Sequence, residues 1–297
     1  KMFHKAKKYG QSALMSERIH QKFPADKRSA QALYESGLIY EKGRLYPEAI
    51  RVYSTLAEKF PQSEYAAEGF FAIGFCYEKM GENEKMAQTF AQYAQKFPSD
   101  KSKQVKAIAK AADAYFKMKN MEQAEKNYRD VIDVYEKFKR KADIDIFSVA
   151  KAYYRLGEIE QKRFKDIELT GSSERDVRKK LEEKTKSLEP VLKNYAKAIE
   201  LGVGEWAVRS TFMIGQSFVQ MAESYRNQTL FGTKEEKTAS KIQLMPGLEK
   251  YYLKAQEKFH WVVETSYEQN IKNKWVDRAS KSFMEMAYKR GRIYEEI

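Results

Sequence analysis

The sequence predicts an all-α chain, a right-handed superhelical solenoid of antiparallel helix pairs. Three observations predict it. Helix breakers are scarce, with 14 Gly and 6 Pro in 297 residues, against usual shares of about 7% and 5%. Charged residues reach 33%, and the abundant Lys, Glu, Gln and Ala favour long helices over turn-rich β structure. Finally, one pattern returns at a fixed interval. Lys22-Phe23-Pro24, Lys59-Phe60-Pro61 and Lys96-Phe97-Pro98 are 37 residues apart, as are Tyr40-Glu41-Lys42 and Tyr77-Glu78-Lys79. A period of that length marks a stacked repeat architecture.

Each element follows from the repeat. Residues 1–24 read as the second helix of a repeat, because they run into Lys-Phe-Pro in phase. Gly37 and Gly74 fall where the two helices of one repeat approach closely, so that a side chain would hold them apart. Pro61 and Pro98 fall where one repeat stops before the next, since Pro cannot continue a helix. Beyond residue 140 the repeat stretches, and Gly157 and Gly215 are 58 residues apart. Helices are expected at about 148–169 and 175–201, joined by Thr170-Gly171-Ser172-Ser173, and then at about 205–230. A polar segment containing Pro246 is expected over 231–247, then a helix at about 248–269 and a last one from about 273. Trp206-x2-Arg209 and Trp275-x2-Arg278 suggest a common ancestor for the helices that carry them. The expected organisation is therefore regular repeats over 1–140 and elongated, divergent repeats over 141–297 that continue the same solenoid. Each end reads as half a repeat, so a longer protein is expected.

The composition excludes several classes of function. One Cys leaves no disulfide framework within the chain and no Cys-based zinc site, and the three His (His4, His20 and His260) are isolated. Mean hydropathy is −0.73, and no apolar run approaches the roughly 18 residues of a membrane span. No Gly-rich phosphate loop, Gly-x-Ser-x-Gly elbow or His-Glu-x-x-His is present. Carboxylate pairs such as Glu295-Glu296, or Asp143 with Asp145, read as solvated surface. Cys76 reads as a buried small residue, and His260-Trp261 as packing in an amphipathic helix. No enzyme, metal or cofactor is expected. The 55 basic and 42 acidic residues give a net charge of +13, which speeds encounters with anionic partners without choosing among them.

The repeats resemble the tetratricopeptide repeat, whose pattern is Leu-Gly-x2-Tyr, then Ala-x3-Phe, then Pro. Residues 30–63 supply Ser36-Gly37-x2-Tyr40, Ala49-x3-Tyr53 and Pro61. Residues 67–100 supply Ile73-Gly74-x2-Tyr77, Met86-x3-Phe90 and Pro98. Residues 105–138 supply Ala111-Ala112-x2-Tyr115 and Ala124-x3-Tyr128 without the Pro. Leu156-Gly157 and Ile214-Gly215-x2-Phe218 start later repeats.

The resemblance implies a concave groove lined by the first helix of each repeat. It also implies which positions face that groove: six and three before the motif Gly, and one after it. Carried across, these offsets predict a peptide-binding groove with an aromatic stretch of Tyr34, Leu38, Phe71 and Phe75. A basic stretch follows with Lys106, Lys151 and Arg209, accompanied by Tyr154 and Phe212, and Lys110 and Arg155, two before the motif position, flank the same groove. The first stretch suits bulky apolar side chains of a peptide or protein, the second an acidic partner or free carboxylate. Tetratricopeptide domains that clamp chaperone tails need Lys and Asn where this sequence has Tyr34, Leu38 and Ala72, so only Lys106 and Lys110 fit that subtype.

Joints such as Lys59-Phe60-Pro61-Gln62-Ser63-Glu64 resemble those of bacterial cell-envelope tetratricopeptide scaffolds, of the outer-membrane assembly, Tol–Pal coordinator and gliding-motility types. That resemblance implies a periplasmic or outer-membrane-associated scaffold, with the cytoplasm as the alternative. Two rival functions stay open from the sequence. One is a basic module binding nucleic acid or an anionic surface. The other is an accessory region of a larger enzyme.

Overall fold

A computed structural model describes residues 2–24, 26, 28–268 and 272–296. Lys1, Gln269 and Ile297, which the sequence reading gave to helices, lie outside the described residues. Among those described, every regular element is helical. They are α1 (Met2–Lys22), α2 (Arg28–Lys42), α3 (Tyr46–Lys59), α4 (Glu64–Met80), α5 (Asn83–Lys96), α6 (Lys101–Lys117), α7 (Met121–Phe138), α8 (Ile146–Asp166), α9 (Glu174–Glu200), α10 (Gly204–Arg226), α11 (Lys234–Glu268) and α12 (Lys274–Gly291), with a 3-10 turn at Ile293–Glu296. The chain divides into two compact units, Lys1–Ser148 and Val149–Ile297.

In the first unit, successive helices from α1 to α7 pack on their neighbours, and α2 also packs on α4. Polar caps set the helix starts. Ser63 Oγ accepts from Tyr65 N at 3.2 Å, Asp100 Oδ1 from Lys103 N at 2.9 Å and Asn120 Oδ1 from Gln123 N at 3.2 Å, each satisfying an N–H that the helix leaves free. Pro61 and Pro98 lie outside the helices, in the joints between repeats. The turn inside each repeat needs a left-handed residue, and Arg44, Gly81 and Lys119 fill it with φ of 59°, 77° and 60°. Only Gly81 adopts that conformation without steric cost.

Inside each pair, a small residue on the first helix receives a ring from the second. A Cβ built on Gly74 would lie 2.5 Å from Cζ of Phe90, and one on Gly37 would collide with Tyr53. Tyr53, Phe90 and Tyr128 are fully buried, and Ala112 takes the small position of the third pair. The core of this unit forms around these rings with Leu56, Phe70, Ile73, Met86 and Tyr93.

The second unit keeps the same device with longer helices. Gly157 meets Tyr195 and Gly215 meets Phe259, each with a ring carbon 2.6 Å from the Cβ position. Ser173 Oγ caps α9 through Asp176 N at 3.2 Å. The Lys184 ammonium is buried (2% exposed) and donates to the carbonyls of Phe164 at 3.0 Å and Ile167 at 2.5 Å, closing the end of α8. Burial pushes its pKa down.

One expected element needs correction. Residues 234–247 do not form a separate polar segment, because α11 runs unbroken from Lys234 to Glu268 with Pro246 inside it. Met245 and Leu248 are buried, and α11 packs along α10, so tertiary packing outweighs the roughly 3 kcal/mol a helix-interior Pro costs. The last helix also stops earlier than expected, at Gly291, before the 3-10 turn.

Candidate functional groove

The Gly–ring packing fixes which residues of each first helix remain for other contacts. On α2, Tyr34 is half-buried, its ring 5.4 Å from Tyr65 and 6.0 Å from Tyr53. Leu38 is also half-buried. On α4, Phe75 is half-buried, while Phe71 is only 8% exposed. The Phe71 ring packs 5.3 Å from Phe90 and 4.8 Å from Tyr93. It belongs to the core beneath the surface that Leu38 and Phe75 present. Phe71→Ala therefore cuts into packing. In the second unit Tyr154 and Phe212 are likewise buried, Tyr154 against Tyr195 and Trp206, and Phe212 against Phe259 and Trp275.

Most of the basic stretch faces carboxylates of its own chain. Lys110 Nζ lies 2.8 Å from Glu78 Oε2 and 4.9 Å from the centre of the Phe75 ring, tying α6 to α4. Lys103 pairs with Glu68 across the same two helices, and that hydrogen bond holds the lysine pKa above its ordinary value. Arg155 pairs with Glu158 at 2.6 Å, and Arg209 with Glu205 at 2.6 Å. Lys106 is exposed and Lys151 half-buried. The two lysine pairs join α4 and α6, the two arginine pairs lie within one helix, and all four add little free positive charge.

Sequence reasoning missed a second cluster on α10 and α12. The Arg209 guanidinium carbon is 4.7 Å from the Trp206 ring centre and 5.7 Å from that of Trp275. Trp275 also has Arg278 at 5.2 Å and Lys274 at 5.6 Å. The signal lies in the paired motifs Trp206-x2-Arg209 and Trp275-x2-Arg278. Buried Nε of Arg209 and Nε1 of Trp275 have no acceptor among the described residues, at a cost of about 1–3 kcal/mol each.

Cys76 is 1% exposed, and its thiol, 3.7 Å from Glu41, is pushed up to about 12, chiefly by burial and then by that carboxylate. Among the described residues no three His, Cys, Asp or Glu side chains converge to hold a metal, and no helix is long and apolar enough to cross a membrane. His260 and Trp261 were expected to pack, but both are exposed, His260 stacking on Phe283 at 5.5 Å.

The tetratricopeptide-repeat pattern matches residues 31–63, 68–100 and 107–137, the three pairs whose Gly–ring or Ala–ring packing is described above. The chain carries tetratricopeptide repeats. Solved structures similar to it include MamA (14% identity, 84% of this chain and 99% of that one, TM-score 0.46). BtubC from P. vanneervenii is also similar (12%, 92% and 93%, 0.49), as is a tetratricopeptide-repeat protein of Bacteroides fragilis (15%, 90% and 99%, 0.45). No curated protein matches the chain by sequence. The matched tetratricopeptide repeats all lie in the first unit, and such repeats form a protein-interaction fold.

Proposed function

We propose that the chain is a non-catalytic scaffold that binds a peptide or protein segment along the first helices of its tetratricopeptide repeats. One observation carries the reading. The Gly–ring contacts of each pair consume the buried positions, yet Tyr34, Leu38 and Phe75 keep apolar surface on α2 and α4, helices that pack side by side. Such a row suits bulky side chains of an amphipathic helix or extended peptide.

The groove residues of the first unit are Tyr34, Leu38 and Phe75 as contacts, with Phe71 as the ring beneath Phe75; in the second unit Tyr154 and Phe212 are the corresponding buried rings. Exposed Lys106 adds electrostatic steering, whereas Lys110, Arg155 and Arg209 are held by Glu78, Glu158 and Glu205. The place of action is a bacterial envelope assembly, a reading supported by the Lys-Phe-Pro-x-Ser joint at residues 59–63. Cell fractionation of the native host tests it, and recovery in the cytoplasm alone sinks it.

The binding reading is tested by pull-down from nuclease-treated lysate with mass-spectrometric identification. Wild type runs beside Leu38→Ala/Phe75→Ala, with circular dichroism on each. A discrete protein retained by wild type and lost by the equally helical variant supports the groove. Retention by both refutes it, and loss of everything on nuclease treatment favours a nucleic-acid partner.

A further inference from the structure

The basic residues of the tetratricopeptide chain divide into two kinds. Lys110, Arg155 and Arg209 each sit against a carboxylate of this chain, Glu78, Glu158 and Glu205. Lys274, Arg278 and Lys281 on α12 are exposed, and none has a carboxylate partner among the described residues. Their spacing of i, i+4 and i+7 places them on one face of the helix. Trp275, three residues before Arg278, borders this face; it packs on Phe212 of α10 at 5.4 Å and has Arg209, Arg278 and Lys274 within 6 Å of its ring. The acidic groups closest in sequence do not cancel this charge. Glu205 is committed to Arg209, Glu285 to Lys289 at 3.1 Å, and exposed Asp277, three residues after Lys274 and four before Lys281, sets one carboxylate against the three cations.

We propose that the α10–α12 face binds an extended acidic peptide segment, with its carboxylates on Lys274, Arg278 and Lys281 beside Trp275. This deepens the scaffold reading above and rests on it. The spacing selects the form of the ligand. Four helical residues rise about 6 Å, and side chains on one side of an extended chain recur about every 6.7 Å. Acidic residues at alternate positions therefore match successive cations. A nucleic acid fits less well, because a base stacks on an open ring face and Trp275 is already flanked by three cations.

The test uses the full chain and fluorescence anisotropy. The probe is a fluorescein-labelled decapeptide of alternating Glu and Ser. Its control alternates Gln and Ser, and a 20-nucleotide oligo-dT tests the rival class. Two triple variants carry the same change in net charge. One is Lys274→Glu/Arg278→Glu/Lys281→Glu, the other Lys179→Glu/Lys186→Glu/Lys193→Glu on the exposed surface of α9. Circular dichroism accompanies each, and the Gln triple at 274, 278 and 281 replaces the Glu triple if helicity is lost.

The expected result is Glu-peptide binding weakened at least about tenfold by the α12 triple and little by the α9 triple. Equal weakening by both, equal binding of the Gln peptide, or tighter binding of oligo-dT through the α12 cations overturns the proposal. If the peptide fails while the lysate partner is still retained through Leu38 and Phe75, this inference falls and the scaffold reading stands. If neither binds, both fall.

Discussion

Gly157 receives the ring of Tyr195, whose Cε1 lies 2.6 Å from the place a Cβ would occupy, just as Gly74 receives Phe90 at 2.5 Å. The sequence separation differs, 38 residues against 16, but the packing unit is the same. The elongated repeats lengthen their helices around an unchanged contact.

That contact predicts the outcome of Gly157→Ala. Alanine improves helix propensity by about 1 kcal/mol, whereas forcing a methyl into a ring costs about 1–3 kcal/mol. Net destabilisation is expected by thermal denaturation. Gly204→Ala, where nothing lies within 4 Å of the new Cβ, is expected to cause no loss. Equal effects at the two sites contradict the account.

Phe71→Ala removes a ring held against Phe90 and Tyr93 and is expected to cost about 3–5 kcal/mol in urea denaturation. Leu38→Ala, on a half-buried residue, should cost clearly less, which is why it suits binding tests and Phe71 does not.

The left-handed turn at Lys119, with φ of 60°, is expected to relax with Lys119→Gly. The equivalent turn already uses Gly81. A gain of about 1 kcal/mol is expected from removing the steric cost, read as a higher denaturation midpoint.

Cys76 is expected not to react with Ellman's reagent in the native protein near pH 8, because burial holds its pKa at about 12. One thiol per chain should appear on unfolding in guanidinium. Rapid reaction of the native protein contradicts the burial.

Glu223 accepts from Tyr252 at 2.7 Å and Lys289 at 2.8 Å. Burial works to raise its pKa, but these two donors outweigh it and the net shift is downward. A lowered folded pKa means the unfolded state binds more protons as pH falls, so this stability is present above about pH 4.3 and lost below the folded value. Glu223→Gln is expected to cost about 2 kcal/mol at pH 7 and much less near pH 3. An equal cost at both pH values contradicts the sign.

The regular repeats were legible because their signals are local. A small residue, a ring sixteen positions later and a Pro joint each need one residue type for a steric reason. The start of α11 was not legible, because Pro246 and the polar residues before it argue locally against the helix that packing on α10 stabilises. The groove was legible as a set of positions but not as a set of exposures. Helical offsets place Phe71 and Leu38 on one stripe, and only the neighbouring second helices separate a buried ring from a half-open side chain. Charge was legible only within a helix: Glu205, four residues before Arg209, follows from helical spacing, whereas Glu78 reaches Lys110 only because α4 and α6 stack.

The most direct test of the account places a benzophenone photocrosslinker at Leu38 on α2 and, separately, at Gln88 on the exposed surface of α5, in the native host. The account predicts a discrete protein adduct from position 38 and none from position 88. An adduct from position 88 alone, or identical adducts from both, contradicts a partner held along the first helices.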